Sequence, residues 1–260
     1  MISKHEYVDH FTKMADALLN HTLLVIKTPK SINYYRVSEI EFYFNDYSTH
    51  KDTFTHGDEM QRKEGRWYFH KQNGQAFKSG TYKGLDLSIG KGDKAVGGIL
   101  FRAMMPVRIS GDGGGSKKDF IEGPCLLVDK ILSDCQPEES KSFDLNALHK
   151  LSTFSSTCDA FDQTSIVHLL PLNGKSLSIV LPKRDLVCCP RVGLTLKKFD
   201  ERKKGFWMSD YRYLIYPEFH AKMKDFIILS MVKQGLSDSQ ISLKAAAKVA
   251  KVGEMRKSYD

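Results

Sequence analysis

The chain reads as an α+β protein, with a mostly antiparallel, curved, open-barrel-like sheet flanked by helices and a helical C-terminal extension. Three observations predict this. Aromatic and β-branched runs of strand length recur between Leu23 and Tyr216, split by Gly, Asn and Lys turns. Residues 5–20 place Tyr7, Val8, Phe11, Met14, Ala15 and Leu18 at helical spacing, which predicts an amphipathic helix packed on the main body. Everything beyond residue 217 reads as helix.

In chain order, LLVIK (23–27) is expected as a buried strand and YYRVSEIEFYF (34–44) as a second. In the second strand Ile40, Phe42 and Phe44 share one face, and Glu39, Glu41 and Tyr43 share the other. GRWYFH (65–70), YKGLDLSIG (82–90) and GGILFRAMMPV (97–107) follow as strands. GDGGGSKK (111–118) is expected as a flexible basic loop, and GPCLLVDKIL (123–132) as a helix with Pro124 in its first turn. One or two short helices fall within 133–160, then strands at LSIVLP (177–182) and PRVGLTL (190–196). A helix over 217–234 stops at Gly235, and SDSQ (237–240) has capping-box spacing for a last helix over about 238–252. The expected division is a main domain of 1–216 and a basic helical extension of 217–260.

A chain of 260 residues supports one large domain or one domain with an appendage. Its net charge of +8 favours an anionic partner, nucleic acid before membrane, since no apolar run approaches the ~18 residues of a span. Five cysteines, an odd number with no CxxC, argue against a disulfide framework and a structural zinc site. With no apolar segment near Met1, the expected location is intracellular: the nucleus in a eukaryote, the cytoplasm or nucleoid in a bacterium.

Several motifs fail on spacing. His5-Glu6 with His10 is not HExxH, and GDGGGSKK is not in the Walker A register. His50, Asp52, His56 and Asp58 fall close together, but no spacing rule supports a metal site there. More informative is Arg102, which interrupts an apolar run where a charge must be paired or line a cleft. Trp67, Tyr68, His70 and Tyr82 add aromatic planes among Lys, Arg and Gly, which suits either strand core or stacking on a nucleobase.

Taken in order, these segments resemble the alkyladenine (3-methyladenine) DNA glycosylase family. VSEIEFY resembles that family's E-x-E-A-Y strand, GRWYFH its G-T-L-Y-V-Y segment, and GTYKGLDLSIG its Y-G-M-Y-F-C-M-N-I segment. GGILFRAMMP, GPCLLVD and CCPRVGLTL resemble three later segments, so the likeness is collinear from about residue 20 to 215. The resemblance implies a monofunctional hydrolase that flips a damaged or modified base, with a purine favoured, out of double-stranded DNA and cleaves its N-glycosidic bond. It makes Glu41 the catalytic carboxylate that activates water. Tyr43, His56, Tyr68, His70, Asp86 and Arg102 become the base pocket. Tyr82 and the basic Lys83 and Arg191 are expected to contact DNA, and Phe77 is the candidate wedge, although the segment KQNGQAFKSG is longer than the family's and does not carry that residue over. His70 stands where the family has Tyr and Asp86 where it has Asn, which points to a different base preference. A monomer working without metal or organic cofactor is expected. A glycosidase on RNA or a nucleoside, or a non-catalytic binding module, are the alternatives.

Overall fold

A computed structural model describes residues 4–108, 116–137, 143–151, 158–172, 179, 181–195 and 201–259. Most of the loop at 111–118 and part of the strands expected at 177–182 and 190–196 lie outside these residues. The fold is α+β, with a curled antiparallel half-barrel sheet and seven helices among the described residues.

Helix α1 (Lys4–Asn20) leads into β1 (Thr22–Lys27), and a turn returns the chain as β2 (Ile32–Asp46), the longest strand. On one edge β2 pairs first with β1 and then with β12 (Arg212–Leu214); on the other it pairs along its length with β8 (Ala95–Pro106). The sheet continues through β7 (Leu85–Ser88) to β4 (Trp67–Phe69), while β10 (Val167–Pro171) closes the far side of β1. β11 (Val187–Cys189) pairs with β12, so the late strand is VCC, with Pro190 ending it, and not PRVGLTL. Two short strands, β5 (Lys71–Gln72) and β6 (Ala76–Phe77), form a separate hairpin. β3 (His50–Lys51) and β9 (Ile121–Glu122) extend the main sheet at its margins.

The two faces of β2 divide the molecule. Ile40, Phe42 and Phe44 enter the main apolar core, where Phe11 of α1 stacks on Phe42 at 4.4 Å between ring centroids. Helix α2 (Pro124–Cys135) adds Leu127, Val128 and Ile131 to the same core, and α3 (Leu145–Lys150) adds Leu148. The opposite face, which a lone strand would present to solvent, is covered, and both Glu39 and Glu41 are fully buried. The register of β2 on β8 passes Ser38 and Arg102 without a partner. Such irregularities re-aim side chains, and here Arg102 comes to lie between the two glutamates.

The C-terminal segment is part of this covering. Helices α5 (Lys224–Lys233), α6 (Asp238–Ala245) and α7 (Val249–Tyr259) follow the short α4 (Glu201–Trp207). Ile227, Ile228, Met231, Ile241 and Val252 share one apolar cluster with Val187, Cys189 and Leu214 of β11 and β12. The expected boundary at 216 therefore cuts through this apolar cluster, which these helices share with β11 and β12. The capping box of Ser237 and Gln240 is present, but left-handed Ala246 breaks the expected single last helix in two.

Candidate functional site

Strand pairing sets the site out in one row. Cys189, Arg212, Glu41, Leu100, Asp86 and Tyr68 are successive cross-strand partners, so their side chains leave the sheet on the same face. One end of the row is a sealed ionic network and the other opens to a cleft.

At the open end a cleft of about 870 Å³ lies between the loop of residues 56–63 and the β5–β6 hairpin. His56 and Tyr68 line it, with Asp58, Lys63, Lys71 and Lys78 around them. Behind this wall, His70 Nε2 lies 2.8 Å from Asp86 Oδ1, and Gln61 Nε2 donates to Asp86 Oδ2 at 2.9 Å. The His56 and His70 rings meet edge to face at 4.5 Å. Burial against this wall, with His70 and Lys78 close by, pushes the His56 pKa down to about 4. Burial also raises the Tyr68 phenol above its ordinary range. Two glycines make room for the arrangement. A Cβ at Gly98 would stand 2.6 Å from Asp86 Oδ2, and one at Gly84 would stand 2.6 Å from the His70 ring.

At the sealed end every oxygen of Glu41 is engaged. Oε2 accepts from the Tyr43 hydroxyl at 2.7 Å and from Arg102 at 3.3 Å, and Oε1 accepts from the Val192 backbone N–H at 2.6 Å. Glu39 Oε1 accepts from both Arg102 (2.8 Å) and Arg212 (2.7 Å). His220 Nε2 contacts the Ile215 carbonyl at 3.0 Å, which fixes a proton on that nitrogen. Its Nδ1 faces Glu39 at 3.4 Å and Glu122 at 3.7 Å. Burial by itself would raise the Glu39 carboxyl, but His220, Arg212 and Arg102 together hold it well below the usual range. The opposite holds at His220: burial lowers its pKa, and the two carboxylates more than offset this and raise it. Three carboxylates thus face two guanidiniums, and a proton on His220 Nδ1 brings the set to zero charge. Glu39, Glu122 and His220 present ligand atoms within 4.8 Å of one another, so a cation could share them. Arg102 and Arg212 already supply positive charge to Glu39.

The structure brings His56, Tyr68, His70 and Asp86 near one another, as the sequence reading grouped them, with His56 and Tyr68 lining the cleft and His70 and Asp86 behind them. Tyr43 and Arg102 belong instead with Glu41. The Tyr43 hydroxyl is committed to Glu41, one face of its ring carries the Arg191 guanidinium at 4.6 Å, and burial followed by the Glu41 charge raises its pKa well above the ordinary value. Arg191 is buried on Asp52 and the Phe42 carbonyl, so it holds the fold together where a phosphate contact was expected. Phe77 is half-buried, with its ring stacked on His149 at 4.6 Å, which leaves it unsuited to wedge into a duplex. Tyr82, by contrast, is 76% exposed on the turn of residues 80–82. Lys83 is paired with Asp129. Of the loop group considered for metal, His50 and Asp52 are buried, His50 on the Phe44 carbonyl and the Tyr211 hydroxyl, while His56 lines the cleft. The sequence reading missed Gln61 and Lys78. Their signal was weak, since a lone polar residue in a polar loop has no period.

Fold and site together define an α+β protein whose curled sheet carries a polar cleft at one end of a buried charged row. No family model matches the chain. A protein of Acanthamoeba polyphaga mimivirus, named uncharacterized protein L759, is 31% identical over 228 residues, 83% of this chain and 90% of the viral protein. The chain belongs to one family with that viral protein. Among the described residues, no helix is long and apolar enough to cross a membrane.

Proposed function

We propose that this protein is a hydrolase of the N-glycosidic bond, acting on a damaged or modified base, with a purine favoured, that is flipped out of double-stranded DNA. The observation that carries this reading is the cleft at residues 56–78. Its volume of about 870 Å³ falls in the range of small-molecule sites, and it presents aromatic planes beside polar edges. Tyr68 and His56 suit stacking on a base. Lys63, Lys71 and Lys78 also line the cleft and supply positive charge of the kind that phosphates attract. The exposed Tyr82 ring, four residues beyond Lys78, is the candidate to fill the space that a flipped base vacates.

In this reaction a water oxygen bonds to the sugar C1′ while the C1′–N bond breaks, and its electron pair leaves with the base. The oxocarbenium-like transition state gains from nearby negative charge. The water and one proton acceptor suffice. The sealed, fully engaged carboxylate of Glu41 makes it a poor candidate for that acceptor.

The test is a panel of oligonucleotides, duplex DNA and single-stranded RNA, each carrying one modified purine and scored for base release. Release from duplex DNA is expected. Release from RNA alone would move the substrate to the alternative polymer. No release from any member would overturn the reading.

A further inference from the structure

The sequence resemblance assigned water activation to Glu41, yet the open end of the row holds a better-placed proton acceptor. His70 Nε2 contacts Asp86 Oδ1 at 2.8 Å, and an anionic carboxylate can only accept, so that nitrogen carries the proton. Nδ1 is then the basic nitrogen of the ring, and it makes no hydrogen bond to a described residue. The side chain of His70 is 13% exposed, against 3% for Asp86. Asp86 cannot turn away, because Gln61 holds its other oxygen and Gly98 seats it from below. A buried carboxylate that orients an imidazole and stabilises its cation is the arrangement that makes histidine an effective general base.

We propose that His70, set directly behind the His56–Tyr68 wall of the cleft, is the catalytic base, taking a proton from water at Nδ1, and that Asp86 is its positioning residue. This inference rests on the N-glycosidic reading above. For a base alkylated at a ring nitrogen, and therefore cationic, the step closes without another reactant. Water oxygen bonds to C1′, the C1′–N pair neutralises the departing base, and the water proton moves to His70 Nδ1.

The charged and titratable groups around His70 are compatible with this. Asp86 lies on β7, and Tyr68 on β4, whose end at Phe69 His70 directly follows. His56 comes from the facing loop with Asp58 beside it, and Lys78 is 3.4 Å from His56. His56 stays neutral at physiological pH and adds no charge against a His70 cation. Tyr68 also stays neutral there, and among the described residues Asp86 is the group in direct hydrogen-bond contact with the His70 ring.

The experiment is single-turnover release of 7-methylguanine from a duplex oligonucleotide between pH 5 and 9, together with duplex affinity and melting temperature. Wild type is expected to lose rate as the pH falls and the dyad binds a proton. His70→Gln should lower the rate by ~10²–10⁴-fold and flatten the profile, with duplex affinity retained. Asp86→Asn should slow release with duplex affinity and melting temperature retained, because the imidazole loses the carboxylate that holds its tautomer and orientation. Should His70→Gln fold poorly, His70→Ala supplemented with free imidazole serves in its place, and restored release supports the proposal. A folded His70→Gln with wild-type rate and profile overturns the proposal but leaves the glycosidic reading standing. Wild type that releases no base from any duplex overturns both.

Discussion

Glu41→Gln separates a structural carboxylate from a chemical one. Glu41 is fully buried and accepts from three donors, the Tyr43 hydroxyl, Arg102 and the Val192 N–H. A glutamine offers one acceptor oxygen, and its NH₂ must face either Val192 N–H or Arg102. Breaking a buried charge pair costs about 3–5 kcal/mol. Arg102 keeps Glu39 at 2.8 Å, so the lower end, about 3 kcal/mol, applies. For a chain of this length each kcal/mol lowers the melting temperature by roughly 2–4 °C, giving a loss of roughly 6–12 °C. A protein with the ordinary ~5–15 kcal/mol of stability stays mostly folded at 25 °C after such a loss. Single-turnover base release at that temperature should then remain within about tenfold of wild type, well short of the ~10²–10⁴-fold that a lost general base costs. The measurements are thermal unfolding by circular dichroism and release from the 7-methylguanine duplex. The reasoning is refuted if Glu41→Gln melts with wild type yet releases base at least ~10²-fold more slowly, because Glu41 would then be the water-activating group.

Three further outcomes are expected. His220 has a raised pKa in the fold, so its contribution is fully present below its unfolded value of about 6.5 and is lost as pH rises through the folded value. Glu39 has a lowered pKa, so its contribution is present above about 4.3 and is lost as pH falls toward the folded value. Melting temperature measured from pH 5 to 9 should therefore decline on the alkaline side in wild type, and His220→Gln should remove that decline; an equal decline in both would contradict the network. A chain ending at Tyr216 removes Ile227, Ile228 and Met231 from the cluster that covers Val187, Cys189 and Leu214, and it should be insoluble or melt without cooperativity. A soluble fragment with wild-type melting would show the helices to be an independent unit. Duplex affinity should fall steeply between 50 and 200 mM salt, about 0.9 in log–log slope for each phosphate neutralised, and a flat response would remove the electrostatic basis for a nucleic-acid partner.

Local patterning of the sequence was enough to specify much of the fold. The alternation in 34–44 marked β2 and its apolar face, Pro124 marked the first turn of α2, and Ser237 with Gln240 marked the start of α6. The resemblance of the segments, taken in order, grouped Tyr68, His70 and Asp86. What local patterning could not determine was which side of β2 would be open. A period of two separates Glu41 from Phe42 but carries no information about what will later cover the polar face. That was decided by segments more than 140 residues away: Val192 donates to Glu41, Arg212 and His220 surround Glu39, and the C-terminal helices close over β11 and β12. The same long-range packing buried Arg191 on Asp52 and placed His149 on Phe77, although both Arg191 and Phe77 were expected to contact DNA. Residue type and spacing therefore fixed which groups share a face, while only tertiary packing decided that Glu41 is sealed and that the His70–Asp86 pair stands beside the cleft, because solvent access depends on every segment that folds over the sheet.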